Sequence, residues 1–308
     1  MRATAGLAAM LLLPGFLVVR APWPVVPFLS LFFWIASWWW LPSVGRARFL
    51  AGALLAFALG SLLRLVRLRP PRPSWPALVA VGATLLRAGA AFVPVAGVGP
   101  GLDTTPARLM VWHDGMPSSY APLREAGRFG AHPHGLDAVA ADLSLLSRLP
   151  LAEAAVLAVA VAGGASVLGL YALLVRRLTP GAAALVTAAV AVTVSLVEAV
   201  SGGGDPASSL GLGFVLAAAG PLVAGRTRSG AVAAGAFAGA ALMVAPPVVA
   251  AGAAAAALSA ALSAALSWGR MPPPTREMLV RRLGIAALAA LATGAPYVVR
   301  VAAALAHS

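Results

Sequence analysis

The chain has 308 residues, 61% of them hydrophobic and 10% charged, with a mean hydropathy of +0.92. A globular surface needs roughly a quarter of its residues charged, so this composition excludes a soluble fold and points to an integral membrane protein. At about 20 residues per spanning helix the chain holds roughly ten helices with short connections, which leaves no room for a large soluble catalytic domain. The 22 basic side chains are all arginine, against nine acids, and give a net charge of +13. They sit in short clusters between apolar runs, the pattern of membrane orientation and not of a nucleic-acid stripe. Nucleic acid is therefore not an expected partner. With no cysteine there is no disulfide, thiol nucleophile or thiolate metal site.

In chain order, apolar runs cover residues 5–19, 25–42, 49–66, 76–96, 151–175, 181–201, 207–225, 229–246, 248–268 and 283–305. The first has no small-residue cleavage site before the Arg20 to Pro24 break and is read as a span, not a removed signal. No stretch shows the two-residue alternation of a barrel. The expected fold is all-α: a polytopic bundle of about 9–10 transmembrane helices with short juxtamembrane helices in one long loop. Residues 1–72 read as an N-terminal transmembrane extension and 73–308 as a core that includes the loop 97–150.

The arginines orient the chain. With Arg64, Arg67, Arg69 and Arg72 in the cytoplasm, alternation places Arg176, Arg177, Arg226, Arg228, Arg270, Arg276, Arg281 and Arg282 there too. The loop 97–150 and the connection from Ser201 to Pro206 then lie outside, in a protein of the cytoplasmic membrane. Arg46 and Arg48 break the pattern, because strict alternation puts them on the outer side. Two features read as structural. Ser259, Ser263 and Ser267 line one helix stripe that permits close helix approach, and Trp38, Trp39 and Trp40 end a span, where indoles form an interfacial belt.

The ionisable residues are gathered in one place. Asp103, Asp114, Glu125, Asp137, Asp142 and Glu153 fall within about 50 residues, with His113, His132 and His134 among them. A long loop in a compact bundle is more often functional than not. Thr105-Pro106 opens a predicted helix over 105–113. A second, over 136–148, carries Leu136, Val139, Leu143 and Leu146 on one side, the pattern of a helix lying in the headgroup plane.

Several residues of this loop resemble a known family. Pro100-Gly101-Leu102-Asp103-Thr104-Thr105, Gly115-Met116-Pro117, Tyr120-Ala121-Pro122 and His132-Pro133-His134-Gly135-Leu136 are similar to the first extracytoplasmic loop of GT-C type glycosyltransferases. In that family an aspartate follows the first core helix and two juxtamembrane helices follow it. Gly202-Gly203-Gly204-Asp205-Pro206 resembles the acidic position of the next outer loop. The likeness covers about residues 76–228, with seven spans from residue 76 onward. Asp103 is followed by Thr104 where the family often has a second acid, and His134 stands where a second proline is common.

The resemblance implies inverting transfer of a sugar from a polyprenyl-phosphate carrier to an acceptor on the outer face. Such chemistry requires a base for the acceptor, positive charge for the departing lipid phosphate and a groove for the polyprenyl tail. Asp103 is the expected base and Asp205 the supporting acid, either orienting the acceptor or holding a divalent cation (Mg or Mn) with Asp103. The bland alternatives are a helix cap near Thr105 for Asp103 and a turn aspartate for Asp205. Arg124, Arg128 and Arg108 are the candidate phosphate contacts, with Tyr120, His132 and His134 as further substrate-binding residues. Arg87, inside a span, is expected to pair with Glu198. Two other functions remain open: a non-catalytic membrane scaffold with the same fold, and a lipid-linked sugar transporter or flippase.

Overall fold

The computed structural model describes residues 2–17, 22–41, 44–65, 74–92, 103–121, 129, 132–201, 205–224, 227–249, 251–252 and 273–306. The stripe of Ser259, Ser263 and Ser267 and the side chains of Arg124 and Arg128 lie outside the described residues. The described chain is all-helical: α1 (Arg2–Leu17), α2 (Val26–Trp40), α3 (Arg46–Leu65), α4 (Trp75–Gly89), α5 (Thr105–Trp112), α6 (Gly135–Ser147), α7 (Leu151–Leu174), α8 (Pro180–Ser201), α9 (Pro206–Ala224), α10 (Arg228–Val244) and α11 (Pro273–Leu305).

Local chemistry sets the helix ends. Proline occupies the first turn of α2, α4, α5, α8 and α9, where its missing N–H is no loss and its fixed φ suits the helix. Arg148 ends α6 in the left-handed region, at φ 55°. Thr227 caps α10, its Oγ1 accepting from Gly230 N at 3.2 Å. Where α9 ends, Arg282 donates from Nη2 to the carbonyls of Pro221 (2.7 Å) and Leu222 (3.0 Å), groups that have no partner within the helix.

Among the described residues, α7, α8 and α11 are long and apolar enough to cross a bilayer. The most apolar stretch of α7 is 67% buried, against 22% for α8 and 17% for α11, so α7 is the central helix. Leu185, Leu196, Leu288 and Leu291 are left exposed on the two outer helices, the arrangement lipid requires and water penalises. Helices α1, α4, α9 and α10 are apolar but shorter over their described lengths.

Contacts along the bundle show two distinct ends. Ser147 and Val244 lie against Gly6 and Gly135, placing the start of α1, the start and end of α6 and the end of α10 together. At the other end Trp75 packs on Gly181 and Trp23 on Tyr171, with ring centroids 5.6 Å apart. Each long helix runs opposite to the one before it from α1 through α4, and the loop helices α5 and α6 share one end of the bundle. Phe28, Phe214 and Phe237, from α2, α9 and α10, form a mutual aromatic cluster with centroids 5.6 to 6.1 Å apart. Helices from residues 2–65 thus share one hydrophobic core with the rest.

A close helix approach joins α7 to α9. A Cβ on Gly169 would lie 2.5 Å from the Gly213 carbonyl oxygen, and one on Gly213 would lie 2.8 Å from the Ala165 backbone. Small residues let membrane helices pack backbone to backbone. Gly169→Val is expected to cost about 1–3 kcal/mol, read as a lower melting midpoint of the purified protein in neutral detergent. An unchanged midpoint would place the contact outside the stabilising core.

Candidate functional site

The polar centre of the molecule joins α2, α3 and α6. Asp142 is fully buried on α6, and Arg46, at the start of α3, is 2% exposed. Arg46 Nε donates to Asp142 Oδ1 at 2.8 Å and Nη2 to Oδ2 at 2.5 Å, a bidentate pairing. Nη1 donates to Ser37 Oγ (2.8 Å) and the second Nη2 hydrogen to the Trp34 carbonyl (3.2 Å). Trp38 Nε1 donates to Asp142 Oδ1 at 3.1 Å, and its ring lies 4.4 Å below the guanidinium carbon. Burial pushes the Asp142 carboxyl above its ordinary range, while the Arg46 guanidinium and the Trp38 N–H act the other way.

This pair accounts for Arg46, one of the two arginines that break the orientation pattern; the other, Arg48, is exposed. Arg46 is no solvated charge: it is neutralised by a carboxylate of the long loop. The tryptophan belt needs correction for the same reason. Trp38 and Trp39 are 1% and 2% exposed, and only Trp40, at 54%, is open at the surface. Neither Arg46 nor Asp142 stands out as a pair in sequence, since they are 96 residues apart. The one visible signal was the misfit of Arg46 itself.

The other described loop acids sit at helix ends, and Glu125 lies outside the described residues. Asp114, at φ 48°, accepts from Ala47 N on Oδ1 (3.0 Å) and from Arg46 N on its carbonyl (3.1 Å), capping α3 across the chain. Gly45 makes this possible, because a Cβ there would lie 2.8 Å from Asp114 Oδ2. Glu153 lies in the first turn of α7, where negative charge offsets the helix dipole. Asp103 is exposed at the start of α5, with Oδ1 accepting from Thr105 N at 3.0 Å. Asp205 is exposed at the start of α9 and accepts from Ala207 N (3.2 Å), Ser208 N (3.0 Å) and Ser208 Oγ (2.5 Å).

The histidines divide. His134 is buried, stacked on Phe129 at 3.9 Å, with Nδ1 2.9 Å from Asp137 Oδ2 and Nε2 2.8 Å from the Phe129 carbonyl. Tyr120, also buried, places its hydroxyl 3.5 Å from the same Nε2. Both ring nitrogens are thus engaged inside the protein, so His134 and Tyr120 fasten the segment before α6 and do not present themselves to a ligand. His132 is exposed beside them, its ring 6.3 Å from both Tyr120 and His134. Arg108 is exposed on α5. An open depression of about 270 Å³ follows α5, lined by His113, Gly115, Met116, Pro117, Ser118 and Ser119.

No three His, Asp or Glu side chains among the described residues gather as metal ligands. Both oxygens of Asp205 accept hydrogen bonds within the first turn of α9, and Asp103 Oδ1 within that of α5. Within a span, Arg87 of α4 pairs with Glu198 of α8 through Nη2 and Oε2. Gly163 gives the arginine room, since a Cβ there would meet its carbonyl at 3.2 Å and its guanidinium carbon at 3.6 Å. Set against known proteins, the chain matches no family, no characterised protein and no solved structure.

Removing one member of a buried ion pair strands the other, at a cost of about 3–5 kcal/mol. Asp142→Ala is therefore expected to lower the melting midpoint sharply in detergent. The double variant Arg46→Met/Asp142→Leu should recover most of the loss. A double variant as unstable as Asp142→Ala would show that the charge itself, and not its pairing, is what the fold needs.

Proposed function

We propose that the chain is a membrane glycosyltransferase of GT-C type, moving a sugar from a polyprenyl-phosphate donor to an acceptor at the loop end of the bundle. The observation that carries this reading is the form of the loop. Asp103 stands exposed immediately before α5, and α5 and α6 follow as two short helices between α4 and α7. This is the order of acid and juxtamembrane helices that the resemblance implies. On this reading the protein lies in the cytoplasmic membrane with nine or ten spans, and its site faces the extracytoplasmic side.

The chemistry follows from the residues. Thr105 N–H fixes Oδ1 of Asp103, which orients a carboxylate able to take the proton from an acceptor hydroxyl. The acceptor oxygen attacks the anomeric carbon from the face opposite the carrier. The bond from that carbon to the phosphate oxygen breaks, and the configuration inverts. The lipid phosphate leaves with the electron pair, and guanidinium groups of Arg108, Arg124 and Arg128 are the candidates to stabilise it. Asp205 orients the acceptor, with no step assigned to a cation. His132, exposed beside the buried His134, is the further substrate contact.

A second reading has its own observation. The carboxylate of Asp205 is held by three bonds within the first turn of α9, as a purely structural aspartate would be. A non-catalytic scaffold of the same architecture needs no more than that. Transfer assayed in proteoliposomes with a labelled polyprenyl-phosphate sugar separates the two. Asp103→Asn is expected to reduce transfer by about 10²–10⁴-fold with the melting midpoint retained. Undiminished transfer in that variant would remove Asp103 as base.

A further inference from the structure

The indoles of α2 differ in how their N–H groups are used. Trp34 Nε1 donates to the Met10 carbonyl at 2.9 Å and Trp38 Nε1 to Asp142. Trp39 is as deeply buried, at 2% exposure, yet its Nε1 meets no acceptor. Buried donors without partners are rare in folded proteins and call for a physical explanation.

Helix α11 supplies what stands beside it. Tyr297, buried, meets the Trp39 ring edge-on with centroids 5.2 Å apart, and the Arg300 guanidinium carbon lies 5.7 Å from the same ring. Residues three apart share one helix face, so both side chains approach Trp39 from one stripe of α11. Arg300 is half-buried. The ion pairs among the described residues join Arg46 to Asp142, Arg87 to Glu198 and His134 to Asp137, and none reaches Arg300.

Among the described residues, the polar groups brought to this contact are a guanidinium and an indole N–H, which only donate, and a phenol hydroxyl, which donates or accepts. They gather at the loop end, where α2 and α11 both finish. An arginine inside a membrane helix needs an anion or a polar cavity. Guanidinium matches phosphate with two parallel hydrogen bonds, and phosphate is the anion carried by lipid headgroups. We propose that Arg300, Trp39 and Tyr297 form a binding site for a phosphate group between α2 and α11. Arg300 supplies the charge, Trp39 the stacking surface and a donor, and Tyr297 the third contact. The site is independent of sugar transfer, because a scaffold would hold the same group.

The phosphate belongs either to a membrane lipid or to a free ion, and one experiment separates them. The full chain in neutral detergent is titrated with phosphatidic acid, with diacylglycerol and with inorganic phosphate, and bound species are counted by native mass spectrometry. Phosphatidic acid is expected to bind, with Arg300→Gln weakening it by at least about tenfold and Trp39→Phe by several-fold. Arg300→Lys should keep part of the affinity. Binding of inorganic phosphate with the same dependence on Arg300 would support the site and make free phosphate its source. Diacylglycerol binding as tightly as phosphatidic acid would overturn the proposal. So would unchanged affinity in a folded Arg300→Gln. Should that variant fail to fold, unchanged affinity in both Trp39→Phe and Arg300→Lys would overturn it equally.

Discussion

The structure depends on one buried charge pair. Asp142 and Arg46 leave water completely, at a desolvation cost of several kcal/mol per ion, and that cost is met only because nearly every hydrogen-bonding position on both groups is used. The pair bridges α3 to α6 while Trp38 of α2 stacks beneath it. A connection made of two oxygens and a planar guanidinium fixes orientation as well as distance. It holds the loop helix against the ends of α2 and α3 in one geometry, which hydrophobic contact alone specifies less sharply.

The other charges follow the same economy at lower cost. Asp103, Asp114 and Asp205 each accept from backbone N–H groups at the start of a helix, and Glu153 sits in the first turn of α7. A carboxylate there satisfies donors that the helix leaves unpaired and offsets its dipole. Capping and catalysis are compatible for an exposed carboxylate, since a helix start can orient one oxygen while the group stays open to substrate. Asp205 has both carboxylate oxygens bonded within the first turn of α9.

Much of the scaffold is legible in the sequence because it rests on local rules. Thr105-Pro106 and the leucine stripe from residue 136 mark helices that the structure places at 105–112 and 135–147, within a residue of the pattern. The pairing of Arg87 with Glu198 follows from the penalty on lone charges in apolar spans. The candidate site is legible only as a list of acids. Which acid caps, which pairs and which faces outward depends on contacts between residues far apart, such as Asp142 with Arg46 or Asp114 with Ala47. The aromatic residues mislead for the same reason. A tryptophan at a helix end belongs equally to the interface or to the core, and the carboxylate 104 residues away decides for Trp38.

The start of α3 and the long loop share one end of the bundle, opposite the turn after α7. The chain has no cysteine, so single cysteines at exposed Arg48, Ser118 and Arg177 report sidedness directly. Sealed membrane vesicles of known orientation would be treated with a membrane-impermeant maleimide. The account predicts that Arg48→Cys and Ser118→Cys react from one side and Arg177→Cys only from the other. Labelling of Arg48→Cys from the side opposite Ser118→Cys would contradict it.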